Sequence, residues 1–138
     1  MARRRRPGGK PVDGDGRSVV VVCRGGDCGS RRKHPGFDHQ QQLRTIRDEA
    51  GDKTRVVISR CLDACEHSNV VVIIPADPHV GEPVWIGGAN DNETTADIIT
   101  WLNDETNPAR RPVLVDIRQF GPTRLNRHEL EDEVERGR

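Results

Sequence analysis

The four cysteines are the residues of this chain with the clearest capacity for chemistry, and they occur as two close pairs. Their spacing is C-x4-C, then 32 residues, then C-x3-C. Deprotonated cysteines are ligands for zinc and for the irons of iron–sulfur clusters. The pattern therefore predicts a site that holds a metal ion or a metal cluster. The candidate ligands are Cys23, Cys28, Cys61 and Cys65.

The spacers within the two pairs favour a cluster over a single ion. Zinc knuckles usually have C-x2-C, although spacers of up to four residues occur. A 2Fe-2S cluster has two irons, each held by two thiolates, so each pair would clamp one iron. Gly25, Gly26 and Gly29 would let backbone N–H groups approach the bridging sulfides. Which cysteines share an iron is left open, and a non-redox zinc-binding interaction module on the same four thiolates is the alternative.

The segments that lead into the two pairs are predicted to be strands. Residues 18–22, "SVVVV", are a mostly apolar run that leads into Cys23, and "TRVVIS" at 54–59 runs towards Cys61. Between them, "DHQQQLRTIRDEA" has apolar residues at helical spacing and Asp38 as a cap, which predicts a helix. Two strands joined through a helix are expected to be parallel, with their carboxyl ends at one sheet edge. The two cysteine pairs should therefore lie side by side.

The rest of the chain completes a predicted α/β fold. "NVVVIIP" and "VWIGG" are typical of a third and a fourth strand, and "NDNETTADIITWLNDE" of a second helix with a polar start. "PVLVDI" predicts an additional strand, followed by a charged tail from about Gly121. The expected fold is a mixed sheet of four to five strands with flanking helices. The expected organisation is a flexible basic arm at 1–17, one domain at 18–106 and a C-terminal extension at 107–138.

Composition narrows the classes of function. Hydrophobic residues make up 33% of the chain and charged residues 32%, which limits the core to a few segments of a single domain. Aromatic residues are too few to build stacking platforms, so nucleic acid binding is not expected. No apolar run suits a secretory signal or a membrane span, which predicts a cytoplasmic protein with reduced thiols. No catalytic triad, P-loop or dinucleotide fingerprint is present, and no enzyme activity is predicted.

A family resemblance extends this prediction. "CRGGDC", followed after 32 residues by "CLDAC" and then by "NVVVIIP", "VWIGG" and "ETTADIITWL", resembles the thioredoxin-like 2Fe-2S ferredoxins over about residues 18–104. The resemblance implies a thioredoxin-like fold and one 2Fe-2S cluster on the four cysteines. It also implies a one-electron carrier that serves redox protein partners. A homodimer is left open.

Two features depart from the free-standing ferredoxins of that family. The x4 spacer is more similar to that of the small 2Fe-2S subunit of NADH dehydrogenase and of related hydrogenase and formate dehydrogenase modules. Reductases or oxidoreductase subunits are therefore expected partners. The family often has Gly-Pro before its third strand, where this chain has Ser68 and Asn69.

Basic residues surround the first cysteine pair in sequence. They would steer an acidic redox partner by long-range attraction, unless they belong to an ordinary solvated loop. They are Arg24, Arg31, Arg32 and Lys33.

Overall fold

The computed structural model describes residues 17–77 and 81–136, so the predicted basic arm lies almost wholly outside the described residues. The strands are β1 (Ser18–Cys23), β2 (Thr54–Ser59), β3 (Val71–Ile74) and β4 (Val84–Ile86). The helices are α1 (His39–Glu49), α2 (Asn92–Asn103), α3 (Val113–Ile117) and α4 (Arg124–Arg136). Short 3-10 turns lie at Cys65–His67 and Pro108–Arg110. No helix in the described ranges is both long and apolar enough to cross a membrane.

The sheet brings the ends of β1 and β2 to the same edge. Its strand order is β2-β1-β3-β4, with β1 and β2 parallel and the other pairs antiparallel. In the register of β1 and β2, Cys23 lies opposite Ser59, so both strands finish together. The predicted parallel pair and the mixed four-stranded sheet with flanking helices are confirmed.

Both predicted helices are present, and each begins at an aspartate cap: the predicted Asp38 for α1, and Asp91 within the predicted polar start for α2. The Asp38 carboxylate accepts a hydrogen bond from the Gln41 N–H at 3.0 Å, which satisfies one of the free donors in the first turn of α1. The Asp91 carboxylate accepts one from the Thr94 N–H at 2.7 Å and starts α2 in the same way. Helix α1 thus lies within the connection between β1 and β2, which runs from residue 24 to residue 53.

Strand β1 is central because both of its faces are covered. Val20 and Val22 face a cluster that includes Ile98 and Trp101 of α2. Val19 and Val21 belong to the opposite cluster, which includes residues from α4. All four valines of β1 are 0% exposed. Burial of each such side chain contributes about 1.5–3 kcal/mol, so the strand that carries Cys23 is a rigid support.

The predicted additional strand at 112–117 is wrong, because this segment forms helix α3. Only Val115 is buried there, whereas Val113 and Ile117 are 67% and 69% exposed. In a strand, Val113, Val115 and Ile117 would lie on the same face and would all need to be covered. The structure covers Val115 and leaves Val113 and Ile117 exposed. The Leu114 N–H donates to Asp97 of α2 at 3.1 Å, which ties α3 to that helix instead. Pro112 suits the start of a helix because its missing N–H is not needed there.

The predicted charged tail is also structured from Arg124 onward. Helix α4 packs across the sheet face next to β2, with Leu130 2% and Val134 1% exposed in the second core cluster. These residues are four positions apart, so they lie on one helical face. The segment 124–136 therefore shares the core of the sheet.

Removal of the Asp91 cap should destabilise the fold in a pH-dependent way. Burial raises the pKa of Asp91, but hydrogen bonds from Thr94 and the ion pair with Arg118 outweigh it and hold the pKa below its usual value. A depressed carboxyl pKa adds stability above the unfolded pKa, and this stability is lost as the pH falls through the folded pKa. We expect Asp91→Ala to lower the free energy of unfolding by about 1–2 kcal/mol at pH 7.

Urea denaturation at pH 7 and near pH 3 measures this effect, and the difference from wild type should shrink at the lower pH. Asp91→Asn is the control, because asparagine keeps a capping oxygen and loses only the charge. A deficit in Asp91→Ala that is as large at low pH as at pH 7 would contradict the assignment.

Candidate metal centre

The first cysteine loop, residues 23–28, carries two buried thiols. The Cys23 N–H donates to the Val70 carbonyl at 3.1 Å, which fixes Cys23 as part of the sheet. A turn follows, closed by the Cys28 N–H donating to the Gly25 carbonyl at 3.1 Å. Cys23 is 1% exposed and Cys28 5%. The sheet therefore holds this pair of sulfurs in the interior.

The second cysteine loop, residues 61–65, carries a pair that is closer to solvent. Cys61 follows β2 and Cys65 begins a 3-10 turn, and both are partly exposed free thiols. Their Sγ atoms are 3.5 Å apart. A disulfide would require about 2.0 Å. Two sulfurs on one tetrahedral metal, each about 2.3 Å from it, lie roughly 3.8 Å apart, so this separation is close to that of a shared metal.

Glycines in the first loop let it lie directly against the second. A Cβ atom placed on Gly26 would be 2.6 Å from the Cys65 Sγ and 3.2 Å from the Cys61 Sγ. One placed on Gly25 would be 2.2 Å from the Cys61 backbone nitrogen. Gly26 also has a φ of +61°, which glycine adopts without strain. The structure thus brings together the two cysteine loops that the sequence placed at one sheet edge.

The two thiols of the first loop have pKa values shifted in opposite directions. The hydrogen bond from Cys28 lowers the pKa of Cys23 to about 6, against the opposing effect of burial. The same hydrogen bond raises the pKa of Cys28, as does burial. In the second loop, burial raises the pKa of Cys61. The Cys23 thiol therefore loses its proton more readily than the Cys28 and Cys61 thiols, and binding of a metal must release the remaining thiol protons.

Backbone N–H groups point at two of the sulfurs. The Val70 N–H donates to the Cys28 Sγ at 3.2 Å, and the Asp63 N–H donates to the Cys61 Sγ at 3.3 Å. Hydrogen bonds of this kind stabilise negative charge on sulfur. Each cysteine loop thus has a built-in donor for a ligand thiolate.

Helix α4 braces the second cysteine loop, a role that the sequence did not indicate. The Asn126 side chain donates from Nδ2 to the Leu62 and Asp63 carbonyls, each at 3.0 Å. The Glu133 carboxylate accepts from the Arg60 N–H at 2.7 Å and from its Nε at 3.0 Å. Asn126 and Glu133 are both 4% exposed. The only sequence signal for their burial is that Asn126 and Glu133 lie on the same face of α4 as the apolar Leu130.

Loss of the Asn126 amide should loosen the second cysteine loop. Asn126→Ala leaves two backbone carbonyls without this donor, and we expect the free energy of unfolding to fall by about 1–3 kcal/mol. Hydrogen exchange at residues 61–65 should also become faster. Arg127→Ala, one residue along on the exposed side of α4, is the control and should change neither quantity. Equal effects of the two variants would show that Asn126 does not brace this loop.

The basic residues near the first loop do not form one surface. Arg31 and Arg32 are exposed, and the exposed Lys33 pairs with Asp27 at 3.3 Å. Arg24 is turned inward and its guanidinium donates to the Cys23 carbonyl at 2.9 Å. The predicted steering surface therefore lacks Arg24.

No family model, no curated protein and no solved structure matches the chain. Its function is therefore inferred from the geometry of its own residues. Across 17–77 and 81–136, no three His, Cys, Asp or Glu side chains form a group that could hold a metal ion. The four thiols are arranged two and two, one pair on each loop.

Proposed function

We propose that this protein binds one 2Fe-2S cluster on Cys23, Cys28, Cys61 and Cys65 and acts as a one-electron carrier. The observation that carries this proposal is the contact between the two cysteine loops, where Gly26 lies beside the Cys61 and Cys65 sulfurs. A cluster with two irons uses four thiolates as two pairs, which is the arrangement of these donors.

The residues present fit such a cluster. Gly25 and Gly26 let the two loops approach more closely than any side chain would allow, so that both pairs of thiols could reach one shared group. The free thiols supply the whole ligand set, and the Val70 and Asp63 N–H groups would stabilise the negative charge of Cys28 and Cys61 as ligand thiolates. A bound 2Fe-2S cluster supplies reversible one-electron storage at this edge of the sheet.

The two cysteine loops differ in exposure to solvent, and this difference determines from which side a redox partner could approach the site. Cys23 and Cys28 are buried, whereas Cys61 and Cys65 are partly exposed. A redox partner would therefore approach the second cysteine loop, and the chain's side of that contact would include residues 61–67. The partners proposed are reductases or subunits of a larger oxidoreductase, in the cytoplasm, with this chain as carrier and not as enzyme.

The topology supports a thioredoxin-like version of the fold. A parallel β1-α1-β2 unit is followed by the antiparallel strands β3 and β4 and by helix α2, in the strand order β2-β1-β3-β4. That arrangement is the one expected of a thioredoxin-like ferredoxin. The site would then lie at the carboxyl ends of the two parallel strands, where α/β folds commonly bind ligands.

A single zinc on the same thiolates is the second candidate. The 3.5 Å between the Cys61 and Cys65 sulfurs suits a tetrahedral zinc as well as an iron. A zinc site would make the protein a non-redox interaction module. A single zinc would have to bind all four sulfurs, whereas the four cysteines lie as one pair on each of the two loops.

Metal analysis of the protein purified without oxygen decides between these functions. The cluster proposal expects a red-brown protein with about two irons and two sulfides per chain, which bleaches on reduction and then gives an electron spin resonance signal. A colourless protein with one zinc per chain would establish the alternative. A protein that takes up neither metal after reconstitution would overturn both.

A further inference from the structure

Arg24 places a half-buried positive charge immediately after the first ligand cysteine. Its Nη1 donates to the Cys23 carbonyl at 2.9 Å and to the Asn69 Oδ1 at 3.0 Å. Its Nη2 donates to the His39 carbonyl at 2.9 Å and to the Gln42 Oε1 at 3.0 Å. The guanidinium thus joins the end of β1, the start of α1 and the segment before β3.

The four acceptors that the described residues offer to the Arg24 guanidinium are neutral. Within the described part of the chain, no carboxylate lies within ion-pair distance of Arg24. Arg24 also lies within electrostatic reach of the Cys28 and Cys23 thiols and of the His39 ring. A charge withdrawn from water is costly unless an opposite charge balances it. Among the described residues, a deprotonated Cys23, whose own carbonyl accepts from Arg24, can supply that negative charge.

The surroundings hold the guanidinium in place. A Cβ atom on Gly29 would be 2.5 Å from the Arg24 Cδ, so the loop closes tightly over the arginine stem. The Gln42 Nε2 donates to the Ala89 carbonyl at 2.9 Å and to the Thr95 Oγ1 at 3.0 Å, which orients its Oε1 towards Arg24. The Asn69 Nδ2 donates to the same Gln42 oxygen at 2.8 Å. Arg24 is therefore a fixed charge and not a mobile surface side chain.

We propose that Arg24 is the internal counter-charge of the thiolate site and a positioning residue for its first cysteine loop. Only the effect of Arg24 on the reduction potential rests on the proposed function; its role as counter-charge does not. An electron added to a site that is already negative is stabilised by a fixed cation nearby, so Arg24 raises the reduction potential of the loaded protein. It also strengthens the binding of any metal whose thiolate complex is negatively charged.

The redox test compares Arg24→Gln with Arg24→Lys. Both substitutions break the four-way hydrogen bonding, but only lysine keeps the charge. We expect Arg24→Gln to disfavour reduction by about tenfold in the equilibrium constant, which is about 59 mV for one electron, and Arg24→Lys to recover at least half of that shift. The exposed Arg31→Gln is the control and should leave the potential unchanged, because water and salt screen its charge. Equal shifts in the two Arg24 variants, or no shift in either, would overturn the proposal.

A second measurement does not depend on an iron–sulfur cluster. Cadmium is titrated into the metal-free, reduced protein and followed by the absorbance of cadmium–thiolate bonds. We expect Arg24→Gln to weaken cadmium binding about tenfold relative to Arg24→Lys. If the wild-type protein takes up no 2Fe-2S cluster but cadmium binding follows this order, the proposed function fails and the counter-charge is established. Equal cadmium affinities in the two variants would refute the counter-charge even in a red-brown protein.

Discussion

Replacement of Cys61 by serine should remove the colour and most of the bound iron while leaving the metal-free fold unchanged. Cys61 is the best ligand to test because its thiol is partly exposed and lies in a loop, so serine fits without a buried cavity. The Cys61 Sγ also accepts a hydrogen bond from the Asp63 N–H at 3.3 Å, which a serine hydroxyl can replace. With one of four ligands missing, a cluster would lose an anchoring bond to one iron.

The size of the effect follows from the coupling of binding to folding. A group that binds only the folded protein stabilises it by about 4 kcal/mol when it is present at about a thousand times its dissociation constant. We expect loading to raise the unfolding temperature of the wild type and to leave that of Cys61→Ser almost unchanged. Iron and sulfide analysis together with thermal unfolding of loaded and metal-free samples measures both quantities. A Cys61→Ser protein with wild-type iron content would remove Cys61 from the ligand set.

Gly26→Ala should be nearly as damaging, although it removes no ligand. The new methyl group would lie 2.6 Å from the Cys65 Sγ, in the space between the two loops. At a φ of +61°, alanine also costs about 1–2 kcal/mol of backbone strain. We expect the affinity for the cluster to fall at least tenfold, which corresponds to about 1.4 kcal/mol, and the iron and sulfide content after reconstitution to fall with it. Chemical analysis after reconstitution and urea denaturation of the metal-free protein separate the loss of binding from the loss of stability.

Gly36→Ala is the matched control for this substitution. Gly36 is exposed, lies between the first cysteine loop and α1, and has nothing within 4 Å of the position of a Cβ atom. Alanine there should leave cluster content unchanged and should not lower stability. If Gly26→Ala loads as fully as Gly36→Ala, the two loops do not enclose the bound group between them.

The elements that carry the cysteines could be predicted from the sequence because their signals are local. The apolar run before Cys23 and the Asp38 cap are each decided by neighbouring residues, and the strand–helix–strand order implies a parallel pair. The juxtaposition of the two cysteine loops follows from that order alone. What that shared edge binds stays a prediction.

Contacts between distant residues decided the rest. The segment 113–117 is a helix because Val115 alone finds cover, and an alternating apolar pattern cannot reveal which face will be covered. Asn126 braces the second cysteine loop by binding Leu62 and Asp63, which precede it by more than 60 positions in the sequence. The inward turn of Arg24 likewise depends on acceptors in three separate segments of the chain. Local pattern therefore determined where the thiols are carried, whereas only tertiary packing determined which groups hold and balance them, because burial and partner choice are properties of the assembled chain.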